Sequence, residues 1–246
     1  MKFEEYCNRF EGDFFNEGRR LLGDHVTVYS HLQEALERYP LSCSRERHLQ
    51  TLREFYRIAI TTGVKDLVSR VDPHTPWIAE EVSGKLEGDR IVDMGCCNGF
   101  FTIYYAINHP NAQFTGIDLS EDALESARKK ASDYSVKNIR WICGDVLDPN
   151  IGSDLLNGDS IILQDVLYQL FGSGDRQKEA KMLRLLHQNK GSVVIIAQEG
   201  NGLIGKRSAI HNEGYVLDGH RQETLFDQCA GSNITYEVAV FRKRSS

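Results

Sequence analysis

Four aspartates stand at the ends of short apolar runs: Asp93 in IVDMGCCNG, Asp118 in GIDLS, Asp145 in CGDV and Asp165 in LQDVLYQL. Each could simply end a strand and cap the next element, as aspartate often does. Four at successive strand ends would crowd one edge of a sheet with negative charge, and a cationic, hydroxyl-rich guest relieves that crowding. The turn after the first run places Gly95 and Gly99 around the adjacent pair Cys96 and Cys97. Side chains one position apart rarely converge on a zinc ion, and no second Cys or His pair stands at ligand spacing, so both cysteines read as small apolar lining and no metal is expected. A dinucleotide turn would read G-x-G-x-x-G, whereas this one reads Gly95-x-x-x-Gly99. Asp93, two residues before Gly95, would repel a pyrophosphate and attract an ammonium.

These residues need a parallel sheet to bring them to one edge. From about residue 89, β-branched runs alternate with helical patterns, which predicts strands over 90–95, 113–119, 139–145, 159–165 and 192–198 with crossover helices between them. The clearest helix comes after Asp118. Ser120 caps it, Glu121 and Asp122 sit in its first turn, Arg128, Lys129 and Lys130 near its last, and Ala123, Leu124, Ala127 and Ala131 form one apolar stripe. A second helix starts at Asp175, turns Met182, Leu183, Leu185 and Leu186 inward, and ends at Lys190 and Gly191. The first 88 residues show helical stretches near 2–22, 28–39 and 44–70, broken by Pro40 and by a turn from Asp72 to Pro76. The division is therefore a helical N-terminal extension over 1–88 and an α/β domain over 89–246. Beyond residue 219 the pattern predicts a helix near 219–230 and a strand near 234–242, with GYVLD (214–218) as the candidate for a further strand.

The ordered set IVDMGCCNG, GIDLS, CGDV and LQDVLYQL resembles the motifs of class I S-adenosylmethionine-dependent methyltransferases, whose first motif is commonly written D-x-G-x-G-x-G. The likeness covers about residues 89–200. It implies a doubly wound, mostly parallel Rossmann-like sheet with an N-terminal helical layer, and S-adenosyl-L-methionine as cofactor. By the same resemblance Asp93, Gly95, Cys96, Cys97 and Gly99 cradle the methionyl end, and Asp118, with Leu119 beside it, pairs with the ribose hydroxyls. Asp145 and Val146 hydrogen-bond and pack against adenine, while Gln164 and Asp165 close over the methionine and face the substrate. Cys97 stands where the family usually has glycine.

Composition bounds the partners. The net charge of −6 over 246 residues gives no basic footprint for a polyanion, so a nucleic-acid substrate is disfavoured. No apolar run approaches the roughly 20 residues of a membrane span, and MKFEEY lacks a signal peptide's apolar stretch, so the expectation is a cytoplasmic protein off the membrane. The six cysteines are dispersed, without a C-x-x-C pair, and reduced thiols are expected. The [DN]-P-P-[YFW] tetrapeptide associated with amide or base nitrogens and the Pro-Cys pair of cytosine-C5 enzymes are both absent. The resemblance thus points to methyl transfer onto an O or N atom of a small-molecule acceptor. An RNA methyltransferase and a non-catalytic cofactor-binding partner subunit are the alternatives, and the sequence leaves the oligomeric state open. His211, His220, Glu199 and Asp165 are candidate bases near or beyond the carboxyl edge, and none is assigned as catalytic.

Overall fold

The computed structural model describes residues 1–3, 5–6, 74–148, 150–151, 157–166, 176–189, 193–199, 207–227 and 232–244. Seven strands form one sheet: β1 (Arg90–Met94), β2 (Gln113–Asp118), β3 (Ile139–Cys143), β4 (Ser160–Gln164), β5 (Val193–Glu199), β6 (Tyr215–Asp227) and β7 (Ser232–Lys243). Their spatial order is β3-β2-β1-β4-β5-β7-β6. The first five are mutually parallel, and β7 runs antiparallel between β5 and β6. The order reverses between β1 and β4, where a doubly wound sheet opens a crevice at its carboxyl edge. The five expected parallel strands all form, each shifted or trimmed by at most two residues at an end, while the strand expected near 234–242 lengthens to Ser232–Lys243 and GYVLD begins β6.

Two apolar clusters cover the two faces. On one, Ile91, Phe114, Ile162, Val238 and Val240 pack with Ile78, Ala79 and Val82 of α1 (Thr75–Ser83) and with Phe100, Ile103, Tyr104 and Tyr105 of α2 (Phe100–Asn108). Phe3 and Tyr6 join this cluster, and the Tyr6 hydroxyl donates to the Phe100 carbonyl at 2.8 Å. On the other face, Val92, Ile161, Leu163, Ala239 and Phe241 meet Met182 and Leu186 of α4 (Arg176–Gln188) and Ile210 of α5 (Arg207–Asn212). Helix α3 (Glu121–Asp133) buries the expected stripe of Ala123, Leu124, Ala127 and Ala131, and Ser120 accepts from the Ala123 N–H at 3.2 Å as its cap.

Two expectations are corrected. The segment 219–230 is not a helix, because β6 continues through it as far as Asp227. Its apolar residues lie only in the last half, Leu225, Phe226, Cys229 and Ala230, and pairing with β7 from Tyr215↔Lys243 to Asp227↔Ser232 satisfies the backbone up to Asp227 instead. Of the turn expected over 72–76, His74 is a turn residue but Thr75 and Pro76 already belong to α1, where the missing N–H of Pro76 costs no intrahelical bond, and Asp72 and Pro73 lie outside the described residues. The expected stretches 28–39 and 44–70, most of 2–22, Asp175, Lys190 and Gly191 lie outside the described residues.

Candidate functional site

The loop between β1 and α2 is built on left-handed backbone. Gly95 has φ of 77°, Cys97 of 51° and Gly99 of 72°. Glycine takes such angles freely, whereas a side chain there costs on the order of 1 kcal/mol. A Cβ at Gly95 would lie 2.9 Å from Val166 Cγ2, so the start of the turn and the segment after β4 lie in direct contact. A Cβ at Gly99 would lie 2.6 Å from the Trp141 ring and 2.8 Å from Ala127 Cβ. That second glycine lets α2 close onto β3 and α3.

Asp118, the last residue of β2 and 8 % exposed, holds this loop in place. One carboxyl oxygen accepts the Cys97 N–H at 2.8 Å and the other accepts the Ser120 N–H at 2.9 Å. Gly95 and Cys96 donate to the Ile117 carbonyl at 2.8 and 3.1 Å. The end of β2 is therefore the template on which the β1 turn is laid.

Beneath the turn, Asp93 is 3 % exposed and accepts from Thr102 Oγ1 at 2.5 Å. Burial pushes its carboxyl up to about 7, the Thr102 hydrogen bond opposes this, and Asp118 adds repulsion. Across the switch point, buried Tyr105 donates to Gln164 Oε1 at 2.9 Å, and Gln164 Nε2 is buried without a partner. Burial pushes the Tyr105 phenol well above its ordinary value, as do the Asp93 and Asp165 charges, so it remains a donor. The Cys96 thiol is likewise held up by burial and neighbouring carboxylates, which keeps it protonated and unreactive.

On the adenine side, Asp145 is half-buried beyond β3 and accepts the Leu147 N–H at 2.9 Å. Val146 is buried, and Leu119 is half-buried after β2. Asp165 is exposed, with φ of 52°, just past β4. All eleven residues singled out in the sequence thus lie at or next to the carboxyl ends of β1 to β4. Thr102 and Tyr105 were not among them. Their spacing of three places both on the same face of α2 as it runs under Asp93 and Gln164, and that periodicity was the available signal.

Two of the candidate bases are relocated. His211 meets Arg244, just past the end of β7, whose Arg242 pairs with Val193 at the start of β5, so it lies at the amino edge. His220 accepts from Arg207 Nη2 at 2.9 Å, and burial together with the Arg207 charge lowers its pKa. Glu199 ends β5, and its side chain lies outside the described part of the chain. A shallow cavity of about 340 Å³ lined by Arg128, Ser132, Lys137 and Trp141 opens by the end of α3 and contains none of the eleven residues.

The residues present suit an adenosyl sulfonium with an amino-acid tail. The crevice offers carboxylates for hydroxyls and an ammonium, with apolar flanks at Leu119 and Val146. The architecture is that of the class I methyltransferases. A family model described as Methyltransferase domain matches residues 85–232, more than half of the chain, and the chain belongs to that family.

Among solved structures, the [4+2]-cyclase SpnF superposes with a TM-score of 0.61 at 11 % identity, over 80 % of this chain and 97 % of its own. The methyltransferase domain of bacterial CtHen1-C superposes with a TM-score of 0.54 at 16 % identity, over 68 % and 97 %. Among curated proteins, the release factor glutamine methyltransferase of Neisseria gonorrhoeae is 32 % identical over 104 residues, 42 % of this chain and 37 % of that protein. The ubiquinone biosynthesis O-methyltransferase of Bordetella pertussis is 43 % identical over 61 residues, 25 % of this chain and 24 % of its own. The chain thus spans about two fifths of the length of the first of these relatives, and less of the second.

The positive φ at Cys97 gives a direct test of the loop. Cys97→Gly relieves the left-handed strain but adds unfolded-state freedom, so stability is expected to change by less than about 1 kcal/mol. Cofactor affinity is expected to stay equal or tighten. Thermal melts and calorimetry check both, and loss of binding in a folded Cys97→Gly protein would give the thiol a functional role.

Proposed function

We propose that this chain is an S-adenosylmethionine-dependent methyltransferase that transfers a methyl group to a small molecule. The observation that carries the reading is the convergence of Asp93, Asp118, Asp145 and Asp165 around a left-handed glycine turn at the β1/β4 switch point. In this reading Asp118 receives the ribose hydroxyls, and Asp145 and Val146 hold the adenine. The Gly95–Gly99 turn cradles the methionyl end, and Asp93 faces its ammonium. The bound cofactor supplies an activated methyl group. The chain's own work is to hold the acceptor atom in line and to exclude water, with no protein nucleophile required.

A small-molecule acceptor is supported by the end of β4, which reads Gln164–Asp165–Val166 where the amide-nitrogen tetrapeptide would stand, and by the acidic balance of the chain. Residues 1–88 are proposed as a helical extension or lid, of which Phe3, Tyr6 and α1 pack in the cluster with α2 on one face of the sheet. Among the described residues no helix is long and apolar enough to cross a membrane, and we place the protein in the cytoplasm.

Isothermal calorimetry tests the assignment. S-adenosylhomocysteine is expected to bind with a micromolar Kd, and NAD is expected to show no heat, because Asp93 stands where a pyrophosphate would approach. The reverse pattern would overturn the reading.

A further inference from the structure

The polarity of one hydrogen bond bears on the acceptor atom. Tyr105 is fully buried, and the bond to the Gln164 side chain is the only hydrogen bond its hydroxyl makes among the described residues. With Tyr105 donating to Gln164 Oε1, one buried polar group is left over, the Nε2 amide. With the amide turned over, Nε2 would donate to the phenol oxygen, and both the phenol hydrogen and Oε1 would be stranded. Each stranded buried group costs about 1–3 kcal/mol, so the first arrangement is preferred. The phenol therefore holds the amide with Oε1 toward α2 and leaves Nε2 as a buried donor without a partner among the described residues.

Gln164 is the last residue of β4, and the β1–β4 register of Asp93 with Ile162 puts its side chain on the same face as Asp93, one pleat nearer the carboxyl edge. What this corner holds, close to the Asp93 and Asp165 carboxylates, is a fixed hydrogen-bond donor with no protein partner among the described residues. An oxygen acceptor has two lone pairs, one to take the Gln164 N–H and one to point at the methyl group. An amine or amide nitrogen offers N–H groups of its own and only one lone pair, so it would set donor against donor.

We infer that Gln164, held by Tyr105 as a positioning residue, selects a hydroxyl oxygen as the methyl acceptor and discriminates against nitrogen. This rests on the methyltransferase reading above.

The test is binding to the full chain saturated with S-adenosylhomocysteine, monitored by ligand-observed NMR, with phenol and catechol as oxygen probes and aniline and 1,2-diaminobenzene as their nitrogen counterparts. Each oxygen probe is expected to bind at least fivefold more tightly than its counterpart. Tyr105→Phe, which keeps the ring and frees the amide, should reduce that ratio to below twofold with the S-adenosylhomocysteine Kd within about threefold of wild type. Gln164→Glu, which replaces the donor with an acceptor, should reverse the ratio. Equal or tighter binding of the nitrogen probes to the wild type, no binding of either oxygen probe, or an unchanged ratio in folded Tyr105→Phe protein overturns the inference. Failure of S-adenosylhomocysteine itself to bind would instead overturn the cofactor assignment.

Discussion

Asp118→Ala is expected to cost about 2–4 kcal/mol of stability and to weaken S-adenosylhomocysteine binding by roughly 30-fold or more. The stability loss comes from the two backbone N–H groups its carboxyl holds, Cys97 at 2.8 Å and Ser120 at 2.9 Å, both of which lose that acceptor once the side chain is gone. For a domain of this size the loss corresponds to a fall in Tm of roughly 5–15 °C. The binding loss has two sources, a missing partner for the ribose hydroxyls and a β1 turn no longer pinned to β2. Asp118→Asn separates them, since the amide keeps one acceptor for a backbone N–H and cannot accept on both sides. It should recover part of the stability and little of the affinity. A Tm and a Kd both unchanged in Asp118→Ala would remove Asp118 from the site and from the loop's support.

Asp93 is expected to make stability depend on pH. Its carboxyl is pushed up to about 7 in the folded chain from an ordinary 3.8, chiefly by burial. Between those values the folded state holds a proton that the unfolded state has released, so stability falls as pH rises. The stabilising contribution of the protonated group is complete below about pH 4 and lost by about pH 7, for a total of roughly 4 kcal/mol at 1.36 kcal/mol per unit. Asp93→Asn should flatten this slope in urea titrations run from pH 4 to 8. Thr102→Val should extend it upward, because the Thr102 hydroxyl is the group that holds the carboxyl down. If an ammonium meets Asp93 in the complex, S-adenosylhomocysteine binding releases a proton near neutrality and tightens roughly fivefold from pH 6 to 7, an effect absent in Asp93→Asn. A wild-type stability profile no steeper than that of Asp93→Asn would show that Asp93 is ionised in the folded state across the whole range.

The sequence by itself determined the α/β class, the five parallel strands, the cap and stripe of α3, and the edge of the sheet on which the acids fall. Those features are local: β-branched runs fix strand positions, Ser120 and the Ala123–Leu124–Ala127–Ala131 spacing fix a helix, and parallel order comes once helices alternate with strands. The left-handed turn was half legible, since glycines at 95 and 99 announce it while the φ of Cys97 depends on Asp118 pulling its N–H from another strand. The start of β6 was legible in GYVLD, but its continuation to Asp227 was not, for a related reason. Its strand character comes from pairing with β7 rather than from its own pattern, and weak local preference yields to a partner that satisfies the backbone. Pro76 read as a breaker because a proline that ends one helix and a proline that opens another look alike until the neighbouring turn is known.

The tertiary structure alone decided the states of the groups within the site. Burial of Asp93 under α2 sets its protonation, and the approach of Tyr105 to Gln164 sets which way an amide faces. Both depend on residues brought together from strand and helix, and the desolvation and hydrogen-bond polarity that act there exist only once those elements have packed.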